Sequence, residues 1–230
     1  MEQRGLLQIV LNESLGTAPK LTISQLNALS IIFSVKYTRY LLMSSLDALT
    51  GYLDHRLAPF IDDLPESQAS YQHLEYAGCG SITLGSSNIT GIFKKTYPGV
   101  FTKGFTLEEF QKVASHIEGS EKLILQCLRD TARFQFKAAY HEKLKSEALS
   151  LSISDADCTK LDGFWDQHLM SDTEIKADLI ARSDKIARLF TVWDSTAMKF
   201  MTLTSVGIAI GHAFTRSRTG DSDNLAIWIN

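Results

Sequence analysis

Lys199-Phe200-Met201-Thr202-Leu203, Thr204–Ser217 and Leu225-Ala226-Ile227-Trp228-Ile229 form the stretch whose reading decides the fold. The first five residues read as a short strand. The middle segment carries Val206, Ile210 and Phe214 at helical spacing. Thr219-Gly220-Asp221 makes a turn, and the last segment alternates apolar residues. Chain ends usually fray, so Ile-Trp-Ile near the terminus points to a segment tied into a core or an interface. The expectation is a strand–helix–strand module in which residues 225–229 pair antiparallel with residues 199–203. Leu225, Ile227 and Ile229 then share one strand face, and Ala226 and Trp228 the other. Trp228 is therefore the interface candidate, because an aromatic side chain on a terminal edge strand needs cover.

Working outward, helices dominate. Thr22-Ile23-Ser24-Gln25, Thr106-Leu107-Glu108-Glu109 and Ser171-Asp172-Thr173-Glu174 each have the form of a capping box. The first opens a stripe at Leu26, Leu29, Phe33, Tyr37 and Tyr40 that continues through Leu46, Leu49, Leu53 and Leu57. This predicts one long helix, with Gly51 as a weak point and Pro59 as its end or kink. Leu6–Leu11 reads as a short strand or an apolar lead-in. Gly78, Gly80 and Gly85 bracket Ser81-Ile82-Thr83-Leu84, which alternates as a strand does. Leu123–Leu128 and Phe134–Phe136 fit either a hairpin across Asp130-Thr131 or helix. Tyr97-Pro98-Gly99-Val100 is a turn.

Strands and helices mix without a βαβ alternation, so the fold class is α+β: predominantly helical, with a small mixed or antiparallel sheet and the C-terminal module. The polar junction Ser150–Ser154 suggests an N-terminal region, 1–150, holding the glycine-rich strand segment at 78–105, and a C-terminal helical subdomain, 151–230. One continuous domain is the alternative.

Composition narrows the class. At 44% hydrophobic and 21% charged residues, the chain is neither disordered nor a membrane bundle. A net charge of −3 argues against a protein dominated by nucleic-acid binding. Cys79, Cys127 and Cys158 are odd in number and widely spaced, which disfavours a disulfide framework or a structural zinc site and points to a reducing, cytoplasmic setting. The longest apolar stretch, Met198–Phe214, is too interrupted to span a bilayer.

Leu203-Thr204-Ser205-Val206-Gly207-Ile208-Ala209-Ile210-Gly211-His212-Ala213 together with Leu225–Ile229 resembles the C-terminal signature of the LPO_1073/Vpar_1526 family of bacterial proteins. Ser81–Gly85, Ile92–Gly99 and Lys103-Gly104-Phe105 are similar to that family's central block, and Cys127-Leu128-Arg129-Asp130 with Gln135-Phe136 also fits it. The resemblance implies a soluble bacterial protein and carries no established activity. Members often have a polar N-terminal extension with a Gly-Asp-Asn-Ser-like motif, absent from this sequence.

Candidate chemistry is sparse. Cys79 lies between two glycines and six residues after His73, a conceivable nucleophile and base. The plain reading is a small buried residue at the start of a strand. Lys94, Lys95 and Lys103 interleave with Phe93, Tyr97, Phe101 and Phe105, a pattern that suits anions or nucleic acid. It equally describes a solvated helix beside a core. Arg216 and Arg218 complement a helix C-terminus or meet an anionic partner. No two histidines are four apart, so no helical metal pair exists and no metal or cofactor is expected.

No catalytic constellation outweighs the plain structural reading, so whether the chain is an enzyme stays open. The leading expectation is a non-enzymatic interaction or regulatory protein of the bacterial cytosol, linked to phage defence. It would act through a protein partner or self-association, away from membranes. The alternatives are a cysteine-dependent enzyme centred on Cys79 and a nucleic-acid or nucleotide binder using the basic–aromatic segment 93–105.

Overall fold

The computed structural model describes residues 5–221 and 224–229. Its elements run α1 (Leu6–Thr17), α2 (Ile23–Lys36), α3 (Leu46–Tyr52), α4 (Gln68–Tyr76), β1 (Gly80–Ile82), α5 (Ile89–Thr96), α6 (Leu107–Ala114), β2 (Ile124–Gln126), β3 (Phe134–Phe136), α7 (His141–Ser150), α8 (Asp155–Gln167), α9 (Asp172–Arg182), α10 (Ile186–Ser195), β4 (Met201–Leu203) and α11 (Ser205–Thr219). Among the described residues there are eleven α-helices and two antiparallel two-stranded sheets, β1–β4 and β2–β3. The fold is α+β and predominantly helical.

The chain divides into two units. The first comprises the described residues of Met1–Arg39, Gly51–Ile89 and Leu179–Asn230; the second comprises Tyr40–Thr50 and Thr90–Asp178. The polar junction Ser150–Ser154 connects α7 to α8 within the second unit.

The first unit is organised around α2. Its capping box is complete: Gln25 N donates to Thr22 Oγ1 at 3.3 Å, and Thr22 N donates to Gln25 Oε1 at 3.0 Å. Beyond this start the helix is buried all round, from Asn27 through Val35. It ends at Lys36, so the expected long helix to Leu57 is wrong. The Thr38 hydroxyl takes the Ser34 carbonyl at 2.7 Å, competing with the backbone for the helical acceptor. The Tyr37 hydroxyl is held by the Leu203 N–H at 2.7 Å. Helix resumes only at Leu46, Gly51 sits inside α3, and a π-turn at Leu53–Leu57 leads into a 3-10 turn that holds Pro59.

α11 packs on α2. It is capped by Thr204, whose Oγ1 accepts from Gly207 N at 3.2 Å, and it ends at Gly220 in the left-handed conformation, φ 77°. Two glycines let α11 approach its neighbours closely, Gly211 on the side of α2 and Gly207 on the side of Cys79. A Cβ at Gly207 would lie 1.8 Å from the Cys79 carbonyl oxygen, and one at Gly211 would lie 2.8 Å from that of Leu29.

Two expectations at the sequence ends fail. Leu6–Leu11 is the start of a helix, α1, not a strand. Residues 225–229 do not pair with β4. Leu225–Ile227 is a 3-10 turn capped by Asn224, and the partner of β4 is β1, in the register Gly80↔Leu203, Ser81↔Thr202 and Ile82↔Met201. The alternation at 225–229 is satisfied by a turn that buries Ile229 beside Val10 and Ala209.

The second unit is built on rings. Phe105 lies 4.9 Å from Phe164, 5.4 Å from Phe136 and 5.5 Å from Phe110, and Phe136 lies 5.3 Å from Trp165. The hairpin β2–β3 pairs Ile124↔Phe136, Leu125↔Gln135 and Gln126↔Phe134. Gln135, buried, reaches out of it to donate to the Gly99 carbonyl at 3.0 Å.

Candidate functional site

α1 has an unusual surface for a helix of a folded chain. Of its apolar residues only Val10 is buried, while Leu6, Ile9, Leu11 and Leu15 are exposed, Leu15 at 75%. Leu11 and Leu15 are one turn apart and share a flank. With Leu26 and α11 residues Ile210, Ala213 and Phe214 they line an apolar cavity of about 470 Å³. Past Leu11, Ala209, Ala213 and Ser217 the walls continue into a second cavity of about 640 Å³, where His212, Arg216 and Asn224 introduce polar atoms. The two cavities share those four residues, so they form one trough with an apolar half and a polar half.

Among its described lining residues the charged side chain is Arg216. Arg216 is exposed and makes no ion pair among the described residues. The Arg218 guanidinium lies over the Phe214 ring, 5.3 Å from its centre. Asp221, just past α11, is paired with Arg56 at 3.1 Å. His212 is buried edge-on to Phe33, 5.7 Å between ring centres.

The structure scatters the residues singled out in the sequence. Arg216 and Arg218 belong to the first unit, and Lys94, Lys95 and Lys103 to the second. Lys94 pairs with Asp172 at 2.6 Å and Lys103 with Glu174 at 3.3 Å. The Ser171 backbone N–H and hydroxyl, with Lys103, hold the Glu174 carboxyl down at about 2. Phe93, Tyr97, Phe101 and Phe105 are buried. Stacking on nucleic-acid bases needs exposed rings, and these four face their own core.

Lys95 is exposed at a cleft of about 330 Å³ that also holds His141, Asp162 and Asp166. His141 Nδ1 lies 2.5 Å from Asp162 and Nε2 lies 3.4 Å from Asp166. Both ring nitrogens are therefore engaged, and the histidine ties α7 to α8 instead of offering a free base. Asp162 and Asp166 stand one turn apart on α8, and their histidine lies 21 residues before Asp162.

Cys79 is fully buried, and burial raises its thiol to about 11. Its backbone is fixed on both sides: Cys79 N donates to the Leu74 carbonyl, and its own carbonyl accepts from Thr204 N at 3.1 Å. His73 faces Gln25, with Nδ1 3.0 Å from the amide nitrogen. A reactive cysteine needs an exposed, stabilised thiolate, and this environment supplies neither. Trp228 is half-buried. Its indole N–H donates to the Tyr37 carbonyl at 2.7 Å, and its ring meets Phe33 edge-on at 5.1 Å.

Among the described residues no group of three or more His, Cys, Asp or Glu is arranged to hold a metal ion, and no helix is long and apolar enough to cross a membrane.

Fold and site together define a mostly helical α+β protein with an open, part-apolar trough. A family model matches residues 1–229, and the chain belongs to the LPO_1073/Vpar_1526 family. No curated protein matches the chain, and no solved structure matches it.

Proposed function

We propose that this chain is a non-enzymatic interaction or regulatory protein and that the trough between α1 and α11 receives its partner. The observation that carries this reading is the pair Leu11 and Leu15, exposed one turn apart above an apolar wall. Single exposed leucines are ordinary. Two on one flank, opposite Ala213 and Phe214, form a continuous apolar surface, and taking such surface out of water favours association. Three buried, unpaired thiols support a reducing compartment. The bacterial cytosol and a role in phage defence belong to the same proposal.

A photo-crosslinking residue at position 11, introduced in the bacterial host, tests it. The expected result is a discrete adduct, to a partner or to a second copy, that falls at least fivefold in Leu15→Glu. That position is exposed, so melting is expected to shift little. An adduct that ignores Leu15→Glu, or none at all, overturns the assignment of the trough. The defence setting is checked by deleting the gene: unchanged phage sensitivity removes it, and rescue by wild type but not by Leu15→Glu supports it.

A further inference from the structure

Resting on the interaction reading above for its consequence, we infer that α1 is a hinged wall of the trough, latched shut by Ile229 just past the C-terminal turn. The opposite wall, α11, is seated through Gly207 and Gly211 against two backbone carbonyls. α1 has a smaller seat. Of its 12 residues, Val10 and Ser14 are the buried ones. The Ser14 hydroxyl is spent inside the helix, on the Val10 carbonyl at 2.7 Å. Val10 therefore carries the contact. It joins Ala209 of α11 and Ile229 in a small apolar cluster, with Leu7, Leu225 and Trp228 packed at its edge.

The neighbours of α1 are held by bonds of their own. α2 starts on its reciprocal cap between Thr22 and Gln25, and the Gln25 amide also donates to the Ser70 carbonyl at 2.9 Å. Leu21, just before that cap, is buried. The chain end hangs on α2 through Trp228, by its indole bond to the Tyr37 carbonyl and its ring against Phe33. These bonds stay made when α1 swings away. The hinge is the 3-10 turn Ala18–Lys20, which lies between α1 and Leu21. The buried apolar contact that opening gives up is the Val10 cluster, and an element held by so few contacts opens below the free energy of global unfolding. A helix of this length is marginal alone in water, so α1 unravels once it leaves its seat. Leu11 and Leu15 stand opposite Ala213 and Phe214 while Val10 is seated. Ile229 thereby sets how often the trough has both walls, a shift of population made from the chain end.

Native-state hydrogen exchange on the full chain tests this. In wild type, amides of residues 9–14 are expected to be protected at least a hundredfold less than those of residues 31–35 in α2. Their opening is expected to depend weakly on added denaturant, the mark of a step that exposes little surface. Ile229→Ala is expected to lower α1 protection at least tenfold, with Ile229→Val in between. Ile32→Val weakens the α2 core, which stays folded when α1 opens, so it is expected to lower α2 protection several-fold and leave that of α1 within twofold. The double variant Val10→Ala, Ile229→Ala is expected to cut the adduct at position 11 at least fivefold. Equal protection and equal denaturant dependence in α1 and α2 overturn the inference, and an adduct at position 11 then keeps the interaction reading. Unchanged α1 protection in Ile229→Ala overturns the latch. A separable, Ile229-dependent α1 with no adduct in wild type supports the latch and overturns the interaction reading alone.

Discussion

The two units solve the same packing problem with different materials. The first packs α2 among aliphatic side chains and scattered rings, with Phe33 edge-on to His212 and Trp228, and seats α11 through glycines, Gly211 against the Leu29 carbonyl of α2 and Gly207 against that of Cys79. The second gathers Phe105, Phe110, Phe136, Phe164 and Trp165 into one ring cluster. Their surfaces differ as well. In the second, Lys94, Lys103, Arg129 and Arg133 each meet a carboxylate, and Arg129 holds Asp178 with two bonds of 2.8 Å. In the first, Arg56, Lys185 and Arg188 likewise meet Asp221, Asp62 and Glu66, while Arg216 at the end of α11 stands exposed beside apolar residues. Charge satisfied internally serves the fold; charge left open beside apolar surface is available to something else.

The comparison breaks most sharply at Gly207. Gly207→Val puts side-chain atoms where the Cys79 carbonyl stands, and the expected result is loss of a cooperative unfolding transition. A folded Gly207→Val protein would refute the backbone contact between α11 and the β1 entrance. Next in size, Phe105→Ala removes a ring that touches several others and is expected to cost about 3–5 kcal/mol in denaturant unfolding. A loss below about 1 kcal/mol would mean the ring cluster is not the mainstay of the second unit. The buried thiol gives a smaller, pH-dependent effect. Cys79 is raised from 9.0 to about 11 in the folded chain by burial, so it adds stability fully below pH 9 that is lost as pH rises through 11. The melting advantage of wild type over Cys79→Ala is expected to shrink across that window. A constant gap would contradict the burial of this thiol. The smallest effect marks the opposite kind of glycine: Gly163, exposed on α8, has nothing within 4 Å of a built Cβ. Gly163→Ala is expected to raise stability by roughly 0.5–1 kcal/mol, measured by the same unfolding curves.

Local chemistry was the part of the fold that could be read from the sequence. Thr22 with Gln25 and Thr106 with Glu109 form the reciprocal caps their spacing announced, and the Leu123–Phe136 region, which fitted hairpin or helix, is a hairpin. What failed depended on distant partners. Leu6–Leu11 read as a short strand or an apolar lead-in because its apolar residues lie on both flanks, one of them facing α11 some two hundred residues later. The stripe from Leu26 to Leu57 keeps helical spacing across a break made by Thr38 and by the tie between Tyr37 and β4. The five alternating residues at 225–229 fit a strand or a turn equally, and the edge they were expected to join belongs to Gly80–Ile82. At the candidate site, Arg216 and Arg218 were visible as a helix end, whereas Leu11 and Leu15 had no local mark. Lys94 and Lys103 looked like an anion site because Asp172 and Glu174 lie some seventy residues away in sequence.

Gly207 and Gly211 also set the indexing of α11. They are one turn apart, and each sits where a neighbouring carbonyl leaves room for a hydrogen and nothing larger. Sliding α11 by one residue would bring Ile208 or Ile210 to those carbonyls, so the helix has one permitted position along its axis. Ala213, Phe214 and Arg216 inherit that fixed phase. The α11 wall of the trough behaves as a ruler with its marks already engraved, set by the two carbonyls on which its glycines rest.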